Sequence, residues 1–277
     1  MAAALGHAPL DPAMESLLAF WADSGVDALL LDEAVDRIEA GKFVPPPPPA
    51  PRVPPVAATV QSLRPGQPDV ASSIAQARML AAQAQDLAAL GEAIASFDGC
   101  ALRFEGAARQ AVFYRGQENA PVMVIGEGPG AEEDLQGKPF VGRAGQLLDR
   151  MLGAAGLADR TFITNTVFWR PPGNRTPTPQ EQAVCAPFLE RAISLVKPKM
   201  LLLVGGASAK ALLKKDEGIL SLRGRWFEWR SEDASQELPA MPTLHPAFLL
   251  RQPAAKKRAW NDLLTLTERL DRPERPA

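Results

Sequence analysis

The chain has 277 residues, 46% of them apolar and 22% charged, with a formal net charge of −2. That balance suits a globular protein with enough chain for a core and argues against a wholly disordered or fibrous one. No apolar run approaches the roughly 20 residues that span a bilayer, so no membrane segment is expected. Two cysteines, Cys100 and Cys185, are too few for a disulfide scaffold. With no basic-then-apolar start to the chain, they point to a reducing cytoplasm.

Charge is unevenly spread: residues 1–70 hold four Lys/Arg and nine Asp/Glu, for −5, leaving +3 on the remainder. An acidic leader ahead of a mildly basic domain is compatible with a polyanion partner without demanding one. Leu17, Leu18 and Trp21, then Leu29, Leu30, Ala34, Val35 and Ile38, fall at helical spacing. We read 1–44 as an acidic helical leader, either an accessory helix pair or a docking element for an unknown protein. A dense proline block from Pro45 to Pro55 favours extended polyproline II. It marks 45–70 as a Pro-rich linker, with a proline-rich ligand for another module as the sharper alternative. The main domain is then 71–277.

Residues 71–95, rich in Ala, Gln and Leu and free of proline, predict one long helix. The runs Val122–Ile125, Thr161–Val167, Met200–Val204 and Met241–Leu244 read as buried parallel strands. Ala144–Ala155, Thr178–Val196 and Ser208–Leu213 read as the helices between them. The expected fold is α/β: three α/β/α layers around a small, mostly four-stranded parallel sheet. Such sheets bind ligands at the strands' carboxyl ends, where Gly126–Gly130, Asn165 and His245 fall.

Gly126-Glu127-Gly128-Pro129-Gly130 lets backbone N–H groups approach a ligand, or simply makes a tight turn. A dinucleotide loop wants a different glycine spacing, and no Lys-Ser/Thr pair makes it a nucleotide-hydrolase phosphate loop. Phe140, between Pro139 and Gly142, is either core or a stacking platform for a base. Asn165 either caps the following loop or reads a base edge with its carbonyl and amide. His245, one of two histidines, ends a strand before Pro246. It is either structural or a donor to a carbonyl oxygen that gathers charge. Lys256, Lys257 and Arg258 are a solvated helix face or a set of phosphate contacts.

Together the blocks GEGPGAEEDLQGKPFVGRAGQLL, TNTVFWRPPGNRTPTPQEQAVCAPFL and HPAFLLRQPAAKKRAW resemble, in order and content, the family 4 uracil-DNA glycosylases of bacteria and archaea. The resemblance spans roughly Ala88 to Leu270. It implies a DNA-repair enzyme of base excision repair, a hydrolase of N-glycosyl bonds. Such an enzyme flips uracil out of DNA and leaves an abasic site. It implies that Phe140 stacks on the base, Asn165 reads its edge, and Glu127 and Gly128 line the pocket. Glu133 would guard the position of thymine's methyl. His245 would stabilise charge on uracil O2, with Glu127 the leading candidate for the general base. Leu249, Leu250, Arg251 and Gln252 would lie at the loop entering the DNA groove, and Arg251, Lys256, Lys257 and Arg258 would hold phosphates. A monomer acting on uracil-containing DNA in the bacterial cytoplasm, at the nucleoid, is expected.

The family usually carries four cysteines around a [4Fe–4S] cluster. At the matching positions this chain has Phe97, Cys100, Trp169 and Cys185. Two thiolates cannot supply four ligands, so no cofactor and no metal is expected. Phe97 and Trp169 would fill the cluster's volume, with Cys100 and Cys185 facing each other across it. Two alternatives stay open: a catalytically weak, cluster-less paralogue that binds damaged or single-stranded DNA, and a glycosylase with shifted base specificity.

Overall fold

The computed structural model describes residues 69–105 and 107–272. The expected leader (1–44) and nearly all of the expected linker (45–70) lie outside the described residues.

Where one helix was expected over 71–95 there are two, α1 (Val70–Gln83) and α2 (Leu87–Ser96). The break is set by Asp86, whose carboxylate accepts the Ala89 N–H at 2.8 Å and caps a new helix. A capping aspartate competes with continuation of the preceding helix, and Ala84 turns extended before it.

The sheet has six strands: β1 (Arg115–Gly116), β2 (Val122–Gly126), β3 (Thr161–Asn165), β4 (Met200–Val204), β5 (Phe227–Arg230) and β6 (Glu237–Thr243). Their spatial order is β1-β3-β2-β4-β6-β5. The central four, β3-β2-β4-β6, are parallel, as expected, but β1 and β5 add antiparallel edges. Neither edge carries the continuous apolar run of a doubly covered strand: β1 is two residues long, and β5 alternates charged Glu228 and Arg230 with its aromatics. The Thr161–Val167 run leaves the sheet at Asn165, and Met241–Leu244 is the end of the longer β6.

The helices that follow are α3 (Ala131–Gln136), α4 (Arg143–Ala154), α5 (Pro179–Val196), α6 (Gly206–Leu213), α7 (Ile219–Leu222), α8 (Pro246–Arg251) and α9 (Lys256–Asp271). Alternation along the strands sorts them into layers. Val122, Val124 and Leu202 pack with Leu148 and Leu152 of α4 and Leu263 and Leu266 of α9. Met123, Ile125, Leu201 and Leu203 pack on the other face, with Leu90 and Ile94 of α2 and Phe188 of α5. The three-layer expectation therefore stands. After β3 the chain crosses β2 to reach β4, which opens a crevice at the carboxyl ends of these strands. Register places Gly126 of β2 beside Asn165 of β3 there.

Candidate active site

At the carboxyl ends lies a cavity of ≈440 Å³, lined by Glu127, Gly128, Glu133, Phe140, His245 and Arg251. Its far wall is the loop after β3, through Pro171, Asn174, Arg175 and Pro177.

Asn165 is 1% exposed, and neither its Oδ1 nor its Nδ2 has a hydrogen-bond partner among the described residues. Each buried polar atom left so costs about 1–3 kcal/mol. The adjacent Gly126 leaves room for it: a Cβ there would lie 2.5 Å from Asn165 Oδ1 and 2.4 Å from Phe140 Cζ. A free amide edge and an aromatic ring thus meet at one spot, and only glycine fits between strand and ring.

Phe140 has φ of +55°, uncommon for a bulky residue, so the surrounding structure must impose it. Arg115 of β1 donates from Nε to Pro139 O at 2.7 Å and from Nη2 to Phe140 O at 3.1 Å, and pairs with Asp149 at 2.6 Å. From the other side Glu133 Oε1 accepts the N–H groups of Val141 and Gly142 at 2.9 and 2.8 Å, and Oε2 accepts that of Gly130 at 3.1 Å. Glu133 lines the cavity, but its carboxylate is committed to the backbone that carries Phe140. These bonds hold that loop while Glu133 stays in the cavity lining.

His245 caps α8: its Nδ1 accepts the Ala247 N–H at 3.2 Å, so the proton of the neutral ring sits on Nε2. Burial, and then the nearby Arg251 charge, lower its pKa to about 4 against a weaker pull from Glu133. At neutral pH the site therefore holds an uncharged N–H donor. The imidazole and Phe140 rings lie 5.8 Å apart, tilted by 32°. Gly205, at φ +99°, passes beneath; a Cβ there would come 3.2 Å from His245 Cδ2.

Glu127 is half-buried, and its carboxylate has no hydrogen bond or ion pair among the described residues. Its backbone is held, because Thr166 Oγ1 donates to Glu127 O at 2.6 Å. A Cβ on Gly128 would lie 2.9 Å from Val167 Cγ2, so the glycine loop packs directly on the chain leaving β3.

Leu249 corrects the expectation of a groove-entering loop. Residues 246–251 form α8, and Leu249, one turn after the capping His245, falls on its inner face. It is fully buried with Leu147, Leu244 and Ala259. Leu250 is half-buried, while Arg251 is exposed at the cavity rim. Lys256, Lys257 and Arg258 are all exposed in the first turn of α9. Cations there oppose the helix dipole, so fold stability gives no reason for the placement.

Phe97, Cys100, Trp169 and Cys185 come together and are each at most 2% exposed. The two sulfurs lie 4.0 Å apart, with burial holding the Cys185 thiol protonated and its S–H drawing the Cys100 pKa down. The Phe97 and Trp169 rings are 6.4 Å apart, and Phe188 meets Phe97 edge-on at 5.1 Å. Aromatic carbon thus fills the space between the thiols' neighbours, and a Cβ on Gly99 would already strike the Phe97 ring at 2.4 Å. A [4Fe–4S] cluster does not fit this donor set. Among the described residues no group of three or more His, Cys, Asp or Glu is arranged to hold a metal ion.

Sequence reasoning missed Arg115, Thr166 and the wall residues Asn174 and Arg175. Arg115 acts across the sheet edge on residues 24 and 25 positions away, a distance no local motif reports. Asn174 and Arg175 stood inside a quoted block, but only the fold turns their loop onto the cavity.

Residues 113–264 match the family model of the Uracil DNA glycosylase superfamily. The chain is 40% identical over 160 residues to the Type-4 uracil-DNA glycosylase of Pyrobaculum aerophilum, covering 56% of this chain and 81% of that protein. It is 37% identical over 171 residues to that of Sulfurisphaera tokodaii, covering 60% of this chain and 77% of the relative. Against the Thermotoga maritima protein of the same name, identity is 39% over 142 residues, 50% of this chain and 71% of the other.

Proposed function

The chain belongs to the uracil DNA glycosylase superfamily, and on that premise we propose that it excises uracil from DNA by hydrolysing the N-glycosidic bond, leaving an abasic site. The observation that carries this reading is the buried, unpartnered Asn165 amide beside the Phe140 ring. Uracil offers an adjacent acceptor and donor, O4 and N3–H, which match Asn165 Nδ2 and Oδ1. Cytosine presents the reverse, an amino group and a bare nitrogen, and would leave both atoms of Asn165 opposed.

A base inside a duplex is out of reach, so it is extruded at a cost of a few kcal/mol. Stacking on Phe140, worth about 1–3 kcal/mol, and pairing with Asn165 offset that cost. As the glycosidic bond breaks, uracil leaves as an anion. His245 donates its Nε2–H to O2, where the charge gathers, and a neutral donor there needs no proton change during reaction. Glu127, with its free carboxylate on the cavity wall, takes the proton from the attacking water. Arg251, Lys256, Lys257 and Arg258 hold phosphates on the rim.

The chemistry draws on no iron–sulfur cluster; Phe97 and Trp169 supply cohesion in its place. The enzyme acts as a monomer in the cytoplasm, on nucleoid DNA, and its acidic leader docks a separate protein. Among the described residues no helix is long and apolar enough to cross a membrane. The test is cleavage of a labelled single-stranded oligonucleotide with one uracil, followed by alkali, with iron assayed on the same preparation. Excision without stoichiometric iron is expected. Salt-sensitive DNA binding without excision from any uracil context would replace this reading with the non-catalytic one, and excision of a different base alone would point to shifted specificity.

A further inference from the structure

An arginine in the wall of a DNA-processing cavity invites assignment as a phosphate ligand. The hydrogen bonds of Arg175 argue otherwise. Its Nη1 donates to Glu181 Oε2 at 2.9 Å and Thr176 O at 3.2 Å, and its Nη2 to Glu181 Oε1 at 2.7 Å and Glu105 Oε2 at 3.2 Å. Both terminal nitrogens are spent. Two carboxylates on one guanidinium leave the group locally anionic, which repels phosphate.

These bonds join three pieces of chain. Glu181 sits in the first turn of α5, where its Oε2 also accepts the Thr178 N–H at 2.7 Å and Thr178 Oγ1 accepts the Glu181 N–H at 3.2 Å. That reciprocal cap makes the helix end a rigid anchor. Glu105 lies just beyond the short turn Ala101–Arg103 that follows Cys100. Arg175 itself belongs to the loop that walls the base cavity, and it also lines a second cavity of ≈410 Å³ beside Cys100. The loop's own bonds are those of one short turn, Asn174 N–H to Pro171 O at 3.0 Å and Arg175 N–H to Pro172 O at 3.3 Å, and they do not tie it to the rest of the fold. Gly173 and Asn174 are left-handed, at φ +63° and +54°, and Arg170 Nε bonds Asn174 Oδ1 at 2.7 Å. Pro177 and Pro171 then approach Gly128, at 3.6 and 3.9 Å from where its Cβ would stand.

We propose that Arg175 is a positioning residue for base recognition: by clamping Glu105 and Glu181 it presses the Pro171–Pro177 wall onto the glycine loop and fixes the width of the pocket. This rests on the uracil-excision reading. Lysine at the position would keep the charge but could not fork to both carboxylates, and removing the Glu181 charge would release the clamp while leaving Arg175 intact.

The test uses the full chain and Arg175→Lys, Arg175→Met and Glu181→Gln variants, with free uracil as competitive inhibitor and single-turnover excision as the rate. A loosened pocket is expected in all three: KM and the uracil inhibition constant rise on the order of tenfold or more, while the salt dependence of DNA binding stays that of the wild type. A phosphate ligand would behave differently. Arg175→Lys would then bind normally, Arg175→Met would lower the slope of log K against log salt by about 1, and Glu181→Gln would bind DNA more tightly; that pattern overturns the proposal. Should these variants fail to fold by circular dichroism, the rim variant Glu105→Gln is read instead, where an unchanged uracil inhibition constant overturns the proposal. Wild-type protein that excises no uracil would sink the functional reading itself. Excising wild type with unaltered uracil inhibition in Glu181→Gln would sink the clamp alone.

Discussion

Two buried regions flank the end of β3. On one side Asn165 lies buried beside Phe140, which lines the cavity; four residues on, Trp169 enters the aromatic and thiol cluster. The first region is incomplete by itself: among the described residues its amide has no partner and its carboxylate, Glu127, has none either. The second packs on itself: ring meets ring, and one thiol faces the other. The contrast separates what a chain keeps for a ligand from what it keeps for itself. Unsatisfied polar groups at the first cost stability and await a partner, whereas the second is held by apolar and thiol contacts made within the protein.

The sharpest way to test that division is to damage each region and read both stability and excision. Trp169→Ala empties a fully packed site and is expected to destabilise the fold by about 3–5 kcal/mol in urea unfolding. Its excision rate per folded molecule should fall far less than the stability does. Asn165→Ala should invert the pattern. Excision from single-turnover kinetics is expected to drop by about 10²–10³-fold, with the thermal midpoint unchanged or raised, because a buried amide without partners is gone. If the two variants gave the same ratio of stability loss to rate loss, the regions would not be separate in function.

A smaller effect follows from acid. Above pH 6.5, the ordinary imidazole value, His245 is neutral in both folded and unfolded chains and contributes nothing to pH dependence. Below it the unfolded chain takes up a proton that the folded protein refuses down to about 4, so stability falls as pH drops through that window. Excision per folded molecule should show no acid limb near 6.5 from this group, and the pH profile of kcat/KM checks it. Smallest of all is the expected response to a strong iron chelator: neither melting temperature nor excision rate should move. A drop in either would show that the second region depends on bound metal.

The central sheet was legible because β2, β3 and β4 are buried on both faces and so read as unbroken apolar runs. The edges β1 and β5 were not, because edge strands lack that signature and β1 is two residues long. Within the site, Asn165 and His245 stood out by their places at strand ends and Phe140 by its place between Pro139 and Gly142, all three by their likeness to family blocks, and the fold does bring them together. Leu249 misled, because a sequence block does not reveal which side of a short helix faces inward. The long helix expected over 71–95 failed at Asp86, where one side chain bonding its own backbone outweighed a run of good helix formers. Arg115 was invisible for a further reason: its partners are main-chain carbonyls, and carbonyls carry no sequence identity.

The bonds to those carbonyls have a further meaning. Phe140 is put in place by what grips its main chain: Arg115 on the carbonyls of Pro139 and Phe140, and Glu133 on the amides of Val141 and Gly142. None of those bonds involves the phenyl group. The address of the platform is therefore written separately from its content, and an aromatic of similar size exchanged at this position would be delivered to the same point over Gly126. For anyone wishing to redirect the pocket toward other bases, residue 140 is an interchangeable tile, and the frame that seats it is the part to leave untouched.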